Sequence, residues 1–172
     1  SNGHRKKIKL MNNKAPIKRH PAIVSFSKDH HFGLLLVWKI RQGLDKGVDP
    51  LRISNYVSFF FKEDLAKHFK EEEELLFCKI PADDALRKRA ETDHRIILTL
   101  VASITAKKND TLRLCKLADE LEKHIRFEER EFFNHLQNKI KADELERIAE
   151  RFPSSSKDID EKWEDVFWEI KK

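Results

Sequence analysis

Apolar residues recur every three to four positions along four long segments of the chain, and short polar segments separate these stretches. Such spacing is typical of amphipathic helices that bury one face. Asp49 followed by Pro50 predicts a helix start, because aspartate caps free backbone amides and proline fits the first turn. For the first helix, Ser25 or Ser27 is the predicted cap. The predicted helices cover approximately residues 25–43, 49–77, 81–107 and 109–138.

The connections between the predicted helices are short, which favours antiparallel neighbours. Only 4 glycines and 5 prolines occur in 172 residues, so the turn residues that a sheet needs at short intervals are scarce. The sequence therefore predicts an all-α fold, an up-down-up-down four-helix bundle over residues 20–138.

A shorter helical pattern follows the bundle. Ala142–Arg151 is amphipathic, and Pro153 with three serines forms a predicted linker. We interpret residues 139–172 as a C-terminal helical extension whose last turns pack back on the bundle. Its apolar anchors are Trp163, Phe167 and Trp168.

The inward faces of the predicted helices carry histidines and glutamates among their apolar residues. His68 and Glu72 lie within the stripe of the second helix, and His124 and Glu128 within that of the fourth. On the third helix the corresponding residues are His94 at the centre of the stripe and Glu91 near its edge.

The first helix offers two adjacent histidines. At 100° per residue, His30 lies about 40° from the centre of the apolar stripe and His31 about 140° away. The helical phase therefore favours His30 as the inward residue.

Buried carboxylates without a partner are very costly, so these inward residues need compensation. A divalent metal supplies it, because imidazole nitrogen and carboxylate oxygen are common ligands. A histidine and a glutamate four residues apart share one helix face and can reach one metal or bridge two. The spacing alone is weak support, since a buried histidine is often an ordinary core residue. The predicted metal ligands are His30, His68, Glu72, Glu91, His94, His124 and Glu128.

Charge is unevenly distributed along the chain. The first 28 residues carry eight lysines and arginines and no acidic residue, whereas the whole chain has a net charge of +5. A basic arm could touch nucleic acid or an anionic membrane. A solvated terminus explains the pattern more simply. We predict that residues 1–19 form a basic, flexible leader, and we expect no nucleic-acid or membrane partner.

The two cysteines, Cys78 and Cys115, stand among apolar residues within predicted helices. We interpret them as buried, reduced thiols of a cytoplasmic protein. No apolar run approaches the roughly 20 residues of a membrane helix. The basic leader also lacks the apolar stretch of a signal peptide.

Four segments resemble the helices of the hemerythrin-like family, also called the HHE cation-binding domain. They are "SKDHHFGLLL", "HFKEEEELLF", "ETDHRIILTL" and "HIRFEEREFF", and the resemblance covers roughly residues 20–138. In that family, five histidines and two bridging carboxylates hold two non-haem irons. The resemblance implies ligand roles for two pairs and two single positions: His68 with Glu72, His124 with Glu128, His94, and His30 or His31.

One position departs from the family pattern. Oxygen-carrying hemerythrins have a further histidine one turn before the one that matches His94, and here Ala90 stands there. Glu91 or His31 could supply the missing ligand. A greater share of oxygen ligands would make the iron centre harder and favour oxidation chemistry over reversible oxygen carriage.

The resemblance implies a di-iron protein that binds or senses O2 or a related small oxidant, with a diatomic or peroxide ligand as its partner. Apolar residues, with Trp38 among them, would limit water access to the site. One alternative is a di-iron stress enzyme that consumes peroxide or nitric oxide, or supplies iron for repair. Another is a helical interaction module without metal. Zinc and manganese accept the same ligand types, so the residues leave the metal identity open. The oligomeric state is also left open.

Overall fold

The computed structural model describes residues 18–151 and 158–170, and within these ranges it consists of helices and turns without a strand. The bundle is built from α1–α4, and a shorter helix, α5, follows it. Two helices are continuous but contain one π-helical turn each. The bounds are α1 Pro21–Asp45; α2 Pro50–Phe60, π turn Phe61–Leu65 and Ala66–Leu75; α3 Ala85–Ala106; α4 Thr111–Phe127, π turn Glu128–Phe132 and Phe133–Lys139; α5 Ala142–Arg151.

Side-chain caps set where the bundle helices begin. The aspartates that precede α2, α3 and α4 each accept a hydrogen bond from a backbone amide of the first turn; they are Asp49, Asp84 and Asp110. The predicted start of α1 at Ser25 or Ser27 is wrong. The helix begins at Pro21, because His20 Nδ1 accepts a hydrogen bond from the Ala22 amide at 3.1 Å and proline fits the first turn.

Two apolar clusters fill the bundle. The upper cluster includes Ile40, Ile53 and Ile104, and the lower cluster includes Phe77 and Phe132. Along α1 and α3, residues of the lower cluster come before those of the upper cluster in the sequence. Along α2 and α4, the upper cluster comes first. On each of these helices, the predicted metal-binding histidine lies at the boundary between the clusters.

The C-terminal extension packs back on the bundle, as predicted. Phe167 is 0% exposed, and the Trp168 ring centroid lies 5.0 Å from that of Tyr56. A buried ammonium joins the two parts: Lys39 Nζ donates to Tyr56 Oη at 3.0 Å and forms an ion pair with Asp160. The last turns of the extension therefore cover the upper end of the core, whereas Leu145 and Ile148 of α5 belong to the lower cluster. The predicted linker at Pro153 and most of the basic leader lie outside the described residues.

Three side chains differ from the prediction of burial. Cys78 and Cys115 are exposed free thiols, because Cys115 lies on the outer face of α4 and Cys78 lies in the turn after α2. Trp38 is 47% exposed on the outer face of α1, so it does not line the predicted site. Across the described ranges, no helix combines the length and apolar character needed to cross a membrane.

Candidate metal centre

Six of the seven predicted ligands lie buried at the level between the two apolar clusters. Their exposed fractions range from 0% to 6%. They are His30 on α1, His68 and Glu72 on α2, His94 on α3, and His124 and Glu128 on α4. Each bundle helix thus brings at least one nitrogen or oxygen donor to the same level.

The donor atoms form two groups, and in each group all of them lie within 4.8 Å of one another. The first group comprises His30, His68, Glu72 and Glu128. The second group comprises His94, His124, Glu72 and Glu128. Both glutamates belong to both groups, so their carboxylates lie between two histidine pairs.

The inner nitrogen, Nε2, of every histidine faces one of these glutamates. The distances to Glu72 Oε1 are 3.0 Å from His68 and 3.4 Å from His94. Those to Glu128 Oε1 are 3.0 Å from His124 and 3.2 Å from His30. The four imidazoles therefore converge on two carboxylates.

The outer nitrogen, Nδ1, of every histidine faces a further carboxylate. Its distance is 2.6 Å from Glu129 for His30, 3.2 Å from Asp29 for His68, 3.3 Å from Glu73 for His94, and 2.9 Å from Asp93 for His124. We call these four the outer carboxylates. In metal sites, such a carboxylate fixes the orientation of the ring and makes the inner nitrogen a better ligand.

The outer carboxylates were not predicted from the sequence, although their positions beside predicted ligands are a signal for them. Each is the sequence neighbour of one residue in the two groups, and each contacts a histidine on another helix. Asp29 precedes His30 but contacts His68, and Asp93 precedes His94 but contacts His124. The acidic residues beside His30, Glu72, His94 and Glu128 could have identified the set.

Two π-helical turns lie next to these residues. One, Phe61–Leu65, ends three residues before His68, and the other begins at Glu128. A π turn adds a residue and changes which side chains face inward, and it occurs often at functional sites. At the start of the first turn, Phe61 is half-buried, whereas its neighbour Phe60 is 2% exposed.

Several inner atoms lack a hydrogen-bond partner despite the short distances. Among the described residues, these are both oxygens of Glu72, Glu128 Oε2, and Nε2 of His68, His94 and His124. Buried polar atoms are normally satisfied, because leaving them unpaired costs free energy. The donor set is the one that divalent metals bind through nitrogen and oxygen, so it fits a metal ion at each group.

Proximity to carboxylates changes the proton affinity of the histidines. Burial lowers the pKa of His124, but the charges of Glu128 and Asp93 outweigh burial and raise it to about 10. Nearby carboxylates likewise outweigh burial and raise the pKa of His30, His68 and His94. The pKa of Glu128 is held well below its usual range, because His124 outweighs the effect of burial. The carboxylates therefore favour the protonated form of these histidines, and a cation bound at the two groups would compete with those protons.

Glu91, the seventh predicted ligand, is not brought into either group. Its carboxylate forms an ion pair with Arg87 at 3.1 Å, one turn earlier on α3. His31 is exposed, as the helical phase predicts, and Ala90 is buried in the lower cluster. The structure therefore offers no fifth nitrogen from these positions.

A small cavity adjoins the first group. The centre of a water-sized molecule can occupy about 10 Å³ of this cavity, which is room for roughly one such molecule. Asp29 and Asp64 contribute carboxylates to its wall, and burial followed by the charge of Asp29 raises the pKa of Asp64 to about 6. The remaining lining residues are His30, Gly33, Phe60, Leu65, His68, Phe69, Leu121, His124, Ile125 and Glu128.

Comparison with known proteins gives one match. A family model described as "Hemerythrin HHE cation binding domain" matches residues 23–136, which extend from the first turn of α1 almost to the end of α4. No curated protein and no solved structure matches the chain. The matched range contains both residue groups and all four outer carboxylates.

Proposed function

Because this chain belongs to the hemerythrin HHE cation binding domain family, we propose that it holds two non-haem iron ions and uses them to bind or sense O2 or a related small oxidant. The bundle that holds them would be up-down-up-down. The alternating order of lower and upper core residues along α1–α4 supports this topology.

The observation that carries the proposal is the sharing of Glu72 and Glu128 between two histidine pairs. His30 and His68 would hold one ion, His94 and His124 the other, and each glutamate would bridge the two. Two buried cations repel each other, and negative charge shared between them reduces this repulsion. Two carboxylates between two pairs of neutral donors provide that charge.

Each ion would take two histidines and shares of two carboxylates. Iron held there would supply the change of oxidation state that reaction with an oxidant requires. The protein's part is to orient the imidazoles through the outer carboxylates and to restrict the ligand by size. The cavity beside His30 and His68 supports a diatomic or a peroxide as that ligand.

The absence of a histidine at Ala90 favours a second candidate function. With two nitrogen ligands per ion and two shared carboxylates, oxygen ligands weigh more than in a site with five histidines. A harder centre favours chemical turnover, so consumption of peroxide or nitric oxide is the alternative. Steady-state loss of added peroxide or nitric oxide by the iron-loaded chain would support the enzyme, and a saturable spectral change without turnover would support the sensor.

Metal content tests the proposal itself. The full chain is loaded anaerobically with Fe²⁺, freed of unbound metal, and analysed for iron, with Zn²⁺ and Mn²⁺ as competitors in parallel samples. We expect about two irons per chain. A content near zero would contradict the proposal, and a content near one would restrict it to a single-ion site.

A further inference from the structure

Asp29 and Asp64 share the wall of the cavity beside the first group. Asp64 lies in the π turn of α2, four residues before His68, so both residues lie on the same helix face. Asp29 precedes His30 on α1, and its carboxylate lies 3.2 Å from His68 Nδ1. The two aspartates come from different helices, and both border the space that leads to the buried histidines.

No side chain of the described ranges bonds directly to the carboxylate of Asp64, although the charges of His68 and Lys67 act on it from a distance. Among the described residues, Asp64 makes no hydrogen bond or ion pair, and the nearby ammonium of Lys67 is directed to Glu71 at 3.7 Å. Its neighbour Glu63 is exposed and lies 3.5 Å from Lys162. A half-buried carboxylate beside a second one, with no cation bound to it, attracts positive charge.

The cavity also contains buried atoms that lack a partner. Glu128 Oε2 and His68 Nε2 are such atoms, and the side chains that carry them are 0% and 7% exposed. Both side chains line the same space as Asp64. The wall therefore carries acidic groups at one part and unsatisfied metal-binding donors at another.

We propose that Asp29 and Asp64 form an entrance site, where a divalent cation is held before it passes through the cavity to His30, His68 and Glu128. This inference rests on the proposed function. A volume of about 10 Å³ cannot admit an ion with its hydration shell. Carboxylate oxygens at the entrance replace part of that shell, which makes removal of water less costly.

The rate of metal uptake tests this role separately from the capacity to bind metal. Metal-free full-length chain is mixed with excess Co²⁺ in a stopped-flow instrument, and the absorbance of the bound ion is followed to completion. Asp64→Asn keeps the shape of the side chain but removes its charge. We expect uptake at least fivefold slower than in wild type, with the same final metal content. Asp29 is left intact, because it also orients His68.

Two further variants serve as controls. Glu63→Gln removes a charge from the same π turn but outside the cavity, and should load at the wild-type rate. Asp64→Glu restores the charge and should restore most of the rate. Equal rates for Asp64→Asn and wild type would overturn the entrance site. A lower final metal content in Asp64→Asn would also overturn it, because Asp64 would then contribute to the bound state. If wild type itself takes up no Co²⁺, the proposed function fails, and the entrance site with it.

Discussion

The two residue groups of the candidate centre contain the same donors but have different surroundings. In the first group, both His30 and His68 border the cavity, whereas in the second group only His124 does. In the second group, His94 is 1% exposed, and its ring stacks on those of Phe69 and Phe77 at centroid distances of 3.9 and 5.3 Å. His30 also stacks on Phe133, at a centroid distance of 5.2 Å. The difference is therefore one of degree: the cavity contacts both histidines of the first group, and aromatic rings cover the second group at His94.

The outer carboxylates differ in a similar way. Glu129, which contacts His30, also accepts a hydrogen bond from Ser27 at 2.7 Å and forms an ion pair with Arg19. These contacts lower the pKa of Glu129 to about 2, although burial opposes the shift. Arg19 belongs to the predicted leader, so the first group is connected to the N-terminal segment. The two groups have the same kinds of donor but different surroundings. We therefore expect the first group to control access of a small ligand and the second to contribute more to the stability of the fold.

The largest effect is expected where the two groups are identical, at the shared glutamates. Glu128→Gln removes the charge and most of the bridging ability of a residue that belongs to both groups. We expect nearly complete loss of both ions, measured as iron content after anaerobic loading. Glu131→Gln, on the exposed surface of the same π turn, is the matched control and should retain both. If Glu128→Gln keeps two ions, the glutamate is a structural ion-pair partner only.

Single histidine substitutions should separate the groups. His30→Ala and His94→Ala are each expected to lower the iron content from about two to about one, because each removes a ligand from one group only. The exposed neighbour of His30 provides a control, and His31→Ala should keep both ions. Loss of metal in His31→Ala alone would show that the inward assignment on α1 is wrong.

The same two variants sharpen the comparison of surroundings. His94→Ala leaves the ion beside the cavity in place, so its spectrum should still respond to an added small ligand such as azide. His30→Ala removes that ion, and the response should be lost. His94→Ala should also be less stable without metal by about 2–4 kcal/mol, as expected for a large buried side chain that packs between aromatic rings. Equal azide responses in both variants would contradict the unequal roles.

The sequence predicted much of the fold, because helix caps and apolar spacing are local signals. Asp49 and Pro50 mark the start of α2 correctly, and Ala142–Arg151 has the predicted bounds. The start of α1 was missed because histidine is an unusual cap. The helical phase placed six of the predicted ligand residues inward, where the structure also has them, even though the calculation assumes a regular α-helix without a π turn. Glu91, predicted near the edge of the stripe, lies outside both groups, because its ion pair with Arg87 depends on side-chain contacts that periodicity does not contain.

Lower pH should weaken metal binding at both groups, but an excess of metal should still fill them. Nearby carboxylates raise the pKa of the histidines, that of His124 to about 10, so without metal His124 keeps its proton at neutral pH and the other three bind theirs more tightly than a free imidazole does. Metal must displace those protons, and its apparent affinity should rise with pH from about 6 to about 10, by up to tenfold per pH unit for each proton released. Competition with a metal-binding dye at several pH values measures this slope. An affinity independent of pH would contradict the raised pKa values.

The stability of the metal-free protein should change in the opposite direction. A raised pKa contributes stability that is fully present below the ordinary histidine value of 6.5, and that is lost as the pH rises through the folded-state value. The Tm without metal is therefore expected to fall between pH 6.5 and about 10, while the Tm with saturating metal should hold or rise. Parallel curves for the two forms would show that protons and metal do not compete.

The smallest effect concerns the link between the N-terminal segment and the first group. Arg19 binds Glu129 through its side chain and donates to the Glu129 carbonyl oxygen at 2.6 Å, and Glu129 in turn accepts from His30 Nδ1. Loss of a carboxylate that orients a metal-binding histidine typically lowers metal affinity 10- to 100-fold, so Glu129→Gln should weaken binding of the first ion by about that factor.

Arg19 acts one step further out, and its ion pair with Glu129 is partly exposed, with side-chain exposures of 25% and 28%. Such pairs contribute about 0–1 kcal/mol, so Arg19→Ala should weaken the first ion by no more than about fivefold and leave the second unchanged. Lys18→Ala, at an exposed neighbour, is the control and should change neither. Stepwise titration with Co²⁺ distinguishes the two ions, and equal weakening of both in Arg19→Ala would mean that the N-terminal contact supports the whole bundle rather than the first group.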